Sequence, residues 1–208
     1  MEDIEDDADW PVVLSGVTES VVATLGPNDL WNVAALGLHA PEHDDRPAEA
    51  PVRARTWGRT RTRRNFRERG GGVVQFVADP RDFVAAAVTV REEETPVLDS
   101  ADAWAAVDAE RVAAGERGGT EWVDWHLRPT DAAVERTGVR TINRAFGAVV
   151  DATVAASRLD VESYDTAALL DRLRYFEDVV DRCGGPAERE AFATLTAASG
   201  WRERDRTE

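Results

Sequence analysis

Over roughly the first two thirds of the chain, apolar and polar residues alternate with a period of two; from residue 143 the period changes to 3.6. Strands are therefore expected first and helices last. Residues 17–25 mix Val, Thr and Ser as a strand does, and Gly26-Pro27-Asn28-Asp29 forms a turn. Residues 30–38 return as a second strand, with Trp31, Val33, Ala35 and Gly37 on one face and Asn32, Ala34, Leu36 and Leu38 on the other. Its small residues let either something flat or another strand approach the backbone closely. Residues 39–51 hold three prolines and several acids and read as a loop.

Residues 51–57 alternate Val52, Ala54 and Thr56 against Arg53, Arg55 and Trp57, a third strand with a basic face. Thr62 is expected to cap a short helix through Arg69, stopped by Gly70-Gly71-Gly72. An apolar strand over 72–78 follows, then a short helix opened by Asp79-Pro80 and an acidic loop over 89–100. Residues 101–114 fit a helix by their alanines and a strand by their alternation. A turn over 115–119 and clean alternation over 120–128 favour a long hairpin.

The first of the later helices runs to about Arg158 with Phe146, Val149, Val150, Thr153 and Val154 on its buried face. A second, over 166–183, buries Leu169, Leu170, Leu173, Phe176 and Val180, and a third runs from Pro186 to near Ser199. The expectation is an α+β chain: a barrel or curled sheet over residues 10–137, then a helical subdomain over 138–202.

Composition narrows the setting. All 25 basic residues are arginine, 40 residues are acidic, and the formal charge is −15. Such a surface stays hydrated when salt screens charge almost completely, which points to the cytoplasm of an extreme halophile, or else to an acidic protein from a GC-rich genome. The single cysteine, Cys183, excludes an intramolecular disulfide. His39, His43 and His126 are scattered, and Pro41 prevents His39 and His43 from sharing a helix face, so no metal site is expected. The acidic residues 1–9 do not read as a signal peptide, and no stretch is apolar enough to span a membrane.

Against this acidic background, residues 53–69 carry eight arginines and one glutamate, a local charge of +7. Either the stretch is a solvated face balanced by acids, or it holds an anion. A strand that leads through a short loop into a helix start aims free backbone N–H groups, the Thr60 and Thr62 hydroxyls and nearby guanidinium groups at one point, which suits a phosphate.

Residues 19–24, the turn, and Trp31-Asn32-Val33-Ala34-Ala35-Leu36-Gly37-Leu38 resemble the opening hairpin of the FMN-binding split β-barrels. Gly58-Arg59-Thr60-Arg61-Thr62-Arg63-Arg64-Asn65-Phe66, residues 73–83, and Ile142-Asn143-Arg144-Ala145-Phe146-Gly147-Ala148-Val149-Val150 look like an archaeal family of unknown function within that superfamily, with a helical carboxyl-terminal part. The resemblance covers nearly the whole chain after Trp10. It implies a homodimer with FMN in a groove near the dimer interface, and it makes 101–114 a strand. It maps phosphate contacts onto Arg59, Thr60, Thr62 and Asn65, and flavin-ring contacts onto the backbone of Ala35, Leu36 and Gly37. Relatives commonly carry Pro and Met at Ala35 and Leu36, a change that backbone contacts tolerate. Asn143 and Arg144, at a helix start, are either a further anion contact, from the same or the partner chain, or simply an N-cap and a surface residue.

Three functions are weighed. The first is an FMN-binding protein, plausibly an oxidoreductase of unknown substrate, with no catalytic residue named. The second is a nucleic-acid-binding module that stacks bases on Trp57 and Phe66, disfavoured by the acidic charge. The third is a flavin-free structural or interaction protein.

Overall fold

Among the described residues, alternation over the first part of the chain builds seven strands, six of which close on themselves. The computed structural model describes residues 9–41 and 51–206. Its strands are β1 (Val17–Leu25), β2 (Trp31–His39), β3 (Val52–Trp57), β4 (Gly71–Val77), β5 (Arg91–Glu93), β6 (Ala101–Arg117) and β7 (Thr120–Val134). They run in the order β1-β4-β6-β7-β3-β2, and β1 also pairs with β2, which closes an antiparallel barrel; the short β5 joins the β2 edge. Closure removes the sheet edges that would otherwise invite aggregation.

The barrel is split at one seam. β2 pairs with β1 over all nine of its residues, but with β3 only through Leu38↔Ala54 and His39↔Arg53. Inward residues of each strand, among them Val22, Leu38, Val74, Val107, Trp125 and Leu127, make the barrel core. Each buried aliphatic side chain contributes about 1.5–3 kcal/mol. Residues 101–114 are strand because β6 pairs with both β4 and β7, which outweighs the helix propensity of its alanines. The hairpin is longer than its pattern suggests and turns at Gly118-Gly119, both at positive φ as a two-residue primed turn requires.

The helix α1 (Arg61–Arg69) follows β3. Its cap is Thr60 rather than Thr62: Thr60 takes the extended backbone conformation and its hydroxyl accepts from the Arg63 N–H at 3.2 Å. Thr62 lies inside the first turn and is buried. Gly70, at φ 80°, ends the helix in the left-handed conformation.

By contact the chain divides into two compact units. The barrel unit takes the described chain up to Val77 and then Glu92–Thr137; the other takes Ala78–Arg91 and the chain from Gly138. The second unit is helical: α2 (Pro80–Val88), α3 (Arg144–Ala156), α4 (Thr166–Cys183), α5 (Pro186–Ser199) and α6 (Trp201–Asp205). Asp79, Asn143 and Asp165 cap α2, α3 and α4, and Glu188 caps α5 by accepting from the Gly185 N–H at 2.9 Å. Its core joins Val149, Leu170, Leu173, Leu195 and Trp201. The buried face of α3 is rotated from the expected one: Ala145, Ala148 and Ala152 are buried with Val149 and Thr153, while Phe146, Val150 and Val154 are half-buried on its flank. Alanines there let neighbouring helices approach closely.

Candidate functional site

β3 leaves the barrel at Trp57 and passes through Gly58, whose φ of 66° only glycine adopts without strain, into the α1 start. Two bonds fix this turn to β7: the Gly58 N–H donates to the Glu121 carbonyl at 2.7 Å, and Arg63 Nη1 donates to both the Gly58 carbonyl and Glu121 Oε2 at 2.9 Å. On the other side, Arg61 pairs with Glu92 at 2.9 Å, and Glu92 also accepts from Asn28 at 3.3 Å. The inner face of α1 closes one end of the barrel. Phe66 packs edge-on against Trp125 at 5.2 Å, and the buried Asn65 donates to Thr24 Oγ1 at 3.0 Å and to its carbonyl at 3.3 Å. Asn65 Oδ1 in turn accepts from Arg64 at 3.2 Å.

The arginines of this stretch divide by partner. Arg55, Arg61, Arg63 and Arg67 are ion-paired to Asp124, Glu92, Glu121 and Glu68. Arg64 and Arg69 donate to neutral acceptors, Asn65 Oδ1 and the Gly26 carbonyl. Among the described residues Arg53 and Arg59 make no hydrogen bond or ion pair, and both are exposed. Three of the eight arginines are thus neutralised by acids brought from elsewhere in the chain, and a fourth by Glu68 of the stretch itself.

At the α1 start, Arg59 stands free beside the N–H groups of Arg61 and Thr62, which have no intrahelical acceptor. No acidic side chain occupies the first turn of α1. A helix start favours negative charge by about 0.3–1 kcal/mol, and here it is flanked by arginines instead. A free guanidinium, open N–H groups and the Thr60 hydroxyl make a donor set that fits a phosphate dianion.

The Ala35–Leu36–Gly37 segment lies mid-way along β2. Ala35 and Gly37 are half-buried, and Leu36 points into the barrel core. The Leu36 carbonyl already accepts from the buried Ser20 hydroxyl at 2.6 Å. A Cβ on Gly37 would meet only Val17 and Glu19 side chains, at 3.6 Å and beyond, so the strand presents a low shelf. Asn143 and Arg144 belong to the helical unit. Asn143 accepts from the Ala145 N–H at 2.9 Å and donates to Glu188 at 3.0 Å, and Arg144 is exposed.

The basic stretch keeps Trp57 exposed, but Phe66 is buried in the core, so of the two proposed stacking rings only Trp57 is accessible. Trp57 lies opposite Trp122 on β7, and the Arg55 guanidinium sits 4.1 Å from the Trp122 ring centroid. Arg55 also donates to both oxygens of Asp124, at 2.6 and 2.8 Å. That bond is the main cause holding the Asp124 carboxyl below the usual carboxylate range; burial opposes it, and Arg53 and His39 add to it.

The His39 and His43 pairing lies outside the described residues, since His43 is not among them. Among the described residues no group of three His, Cys, Asp or Glu is placed to hold a metal ion. Nor is any helix there long and apolar enough to cross a membrane. The sheet register brings His126 and Arg53 beside His39, a proximity the sequence did not reveal. They are 73 residues apart in the chain, and only the strand pairing signals their proximity.

An antiparallel barrel split at one seam, with a helix plugging its end and a helical unit after it, defines an α+β split-barrel protein. The chain belongs to the family described as Protein of unknown function (DUF447): the model of its N-terminal domain matches residues 18–136, and that of its C-terminal part residues 143–197. Its fold is similar to that of the FMN-bound protein MM1853 from Methanosarcina mazei, at 22% identity and a TM-score of 0.72, over 89% of this chain and 96% of that one. More distant are the styrene monooxygenase flavin reductase of Pseudomonas putida S12, at 11% identity and a TM-score of 0.37 over 59% of this chain and 81% of that one, and the flavoredoxin of Methanosarcina acetivorans, at 13% and 0.35 over 64% and 79%. No curated protein matches.

Proposed function

We propose that this chain binds FMN and serves as a flavin-dependent oxidoreductase. The observation that carries the reading is the exposed, unpartnered Arg59 beside the open first turn of α1, a donor set suited to a terminal phosphate. Arg59, Thr60 and the N–H groups of Arg61 and Thr62 would hold the phosphate, while Asn65 positions α1 through Thr24 and orients Arg64. The low shelf at Ala35 and Gly37 would take the flavin ring against strand backbone. FMN, when bound, supplies hydride and single-electron exchange; the chain supplies binding, orientation and exclusion of water. We further assign the protein as a homodimer of the cytoplasm of a halophile, its acidic surface suited to high salt.

Titration of the purified protein with FMN and with riboflavin, followed by quenching of flavin fluorescence in high salt, tests the reading. Arg59→Ala removes charge-assisted bonds of about 1.5–3 kcal/mol, so FMN binding should weaken about 10- to 150-fold while riboflavin binding stays unchanged. A protein that binds neither flavin refutes the function; equal losses for both flavins refute the phosphate turn. Light scattering after size-exclusion chromatography reads the dimer.

A further inference from the structure

The outer face of the barrel carries a row of nitrogen side chains that the phosphate turn does not use. Register places His39 of β2 directly opposite Arg53 of β3, and Arg53 directly opposite His126 of β7. Directly opposed residues in an antiparallel sheet share a face, and neighbouring strands lie about 4.8 Å apart, so the three side chains rise from one face within about 10 Å. This row holds two of the three histidines of the whole chain. His39 and Arg53 are exposed and His126 is half-buried. None of the three side chains makes a hydrogen bond or ion pair among the described residues.

The surroundings explain why Arg53 is left free. Asp124, in the next row, is already held by both nitrogens of Arg55, and that guanidinium is in turn stacked on Trp122. Glu110 of β6 faces His126 from the far side, and Asp108 lies opposite Arg128 one row away. Glu19 of β1 lies on the same face opposite Gly37, two residues along β2 from His39, so among the described residues the row of His39, Arg53 and His126 itself presents donors alone, with acids at Glu19, Asp124 and Glu110 around it. A metal ion is disfavoured there because Arg53 stands between the two imidazoles.

We propose that His39, Arg53 and His126 form an oxyanion-binding site that takes the carboxylate or phosphate group of a small-molecule ligand. A guanidinium flanked by two imidazole N–H groups offers convergent charge-assisted bonds to such a group. His39 follows Ala35 and Gly37 on the same face of β2, so a ligand anchored here extends along the shelf of that strand. Its identity as the redox substrate rests on the FMN reading; the binding of an oxyanion does not.

Imidazole resonances of the whole protein, assigned with single His→Gln variants and followed while inorganic phosphate or acetate replaces chloride at constant ionic strength, test the site. The His39 and His126 signals should move together along one saturating curve. Arg53→Gln should weaken that binding about tenfold or more, Arg53→Lys should restore part of it, and Arg59→Gln should leave it within about twofold. Saturation by phosphate alone assigns a phosphate ligand, and saturation by acetate assigns a carboxylate. No movement of either signal overturns the proposal, as does an Arg53→Gln response equal to that of the unaltered protein, or loss on Arg59→Gln alone. His126→Gln gives an independent variant on a different strand and should also weaken binding, read from His39. Parallel FMN titration separates the two readings: failure to bind FMN with an intact phosphate response removes only the flavin assignment.

Discussion

Asp124→Asn tests how the basic face of β3 is held to β7. The substitution keeps the shape of the side chain and leaves Arg55 on the Trp122 ring, but replaces the carboxylate that accepts two bonds at 2.6 and 2.8 Å. Hydrogen bonds to charged groups contribute about 1.5–3 kcal/mol each in protected sites. Here the Asp124 side chain is 14% exposed and that of Arg55 34%, so water and salt reduce the pair to about 1–2 kcal/mol. In a chain of this length that corresponds to a fall in Tm of about 2–8 °C. The pH dependence follows from the direction of the shift. The folded Asp124 pKa is depressed, chiefly by the Arg55 hydrogen bond, so its stabilisation is present above the unfolded carboxylate range, near 3.9, and is lost as pH falls through the folded value. Urea denaturation followed by tryptophan fluorescence, at pH 7 and in steps below pH 4, should show the difference between the two proteins narrowing as acid is added. Equal midpoints at pH 7, or a difference that does not narrow, would refute the argument. A cycle with Arg55→Gln isolates the pair, and its coupling should be smaller at high salt.

Thr60→Ala should destabilise the protein by about 1 kcal/mol through loss of the α1 cap, whereas Arg59→Ala, which removes no bond within the fold, should change the denaturation midpoint little. Gly71→Ala places a Cβ 2.2 Å from the Val107 carbonyl oxygen, a backbone atom opposite the bulge of β7 at Thr130, and should cost about 1–3 kcal/mol or more in thermal unfolding. Asn65→Leu should cost about 1–3 kcal/mol, since it leaves the buried Thr24 hydroxyl without its donor; hydrogen exchange should show α1 loosening before the strands. Asp124→Asn should also tighten phosphate at the His39, Arg53 and His126 row, because it removes a negative charge that Arg53 and His39 both feel; the same imidazole titration reads it.

The strands β1, β2 and β3 and the helix α4 are legible in the sequence because a period of two or of 3.6 and a clear turn or cap act together there. The alanine-rich β6 is not decided by its own residues. Its buried Ala101, Ala103 and Ala105 alternate as a strand requires, but alanine also favours helix, and pairing on both sides settles the matter. The face of α3 misleads because size suggests burial: Phe146 and Val150 outweigh alanine in a pattern, yet small residues form the close contacts. Thr60 and Thr62 are equivalent caps by type, and only the extended backbone at Thr60 distinguishes them. Which arginines are spoken for is likewise a property of the fold, since Asp124, Glu121 and Glu92 lie 69, 58 and 31 residues from their partners.

The pairing pattern gives the basic stretch a shape that its composition lacks. Arg55, Arg61 and Arg63 are each tied to an acid on another segment, and they lock β3 and α1 to β7 and to the Glu92 region. The two arginines without bonds among the described residues, Arg53 and Arg59, stand near opposite ends of β3, six residues apart, or at most about 20 Å since the chain turns at Gly58. In a chain carrying −15, with 40 acids, two arginines that make no ion pair among the described residues forgo the attraction of a contacting carboxylate, although Arg53 still feels the charge of Asp124 through space. They belong to different elements, Arg53 to the paired start of β3 and Arg59 to the turn before α1, so each can face an anion of its own. The β2 and β3 strands pair at the Arg53 end and part toward the Arg59 end. A cofactor phosphate at the open end and a substrate oxyanion at the closed end would place both ligands along the same split, with β2 between them as the common wall. Arg53→Gln and Arg59→Gln should accordingly impair different ligands, phosphate or acetate at the histidine row and FMN at the turn, with losses that add in the double variant. Coupled losses would mean that both arginines serve one anion and would refute the two-site division.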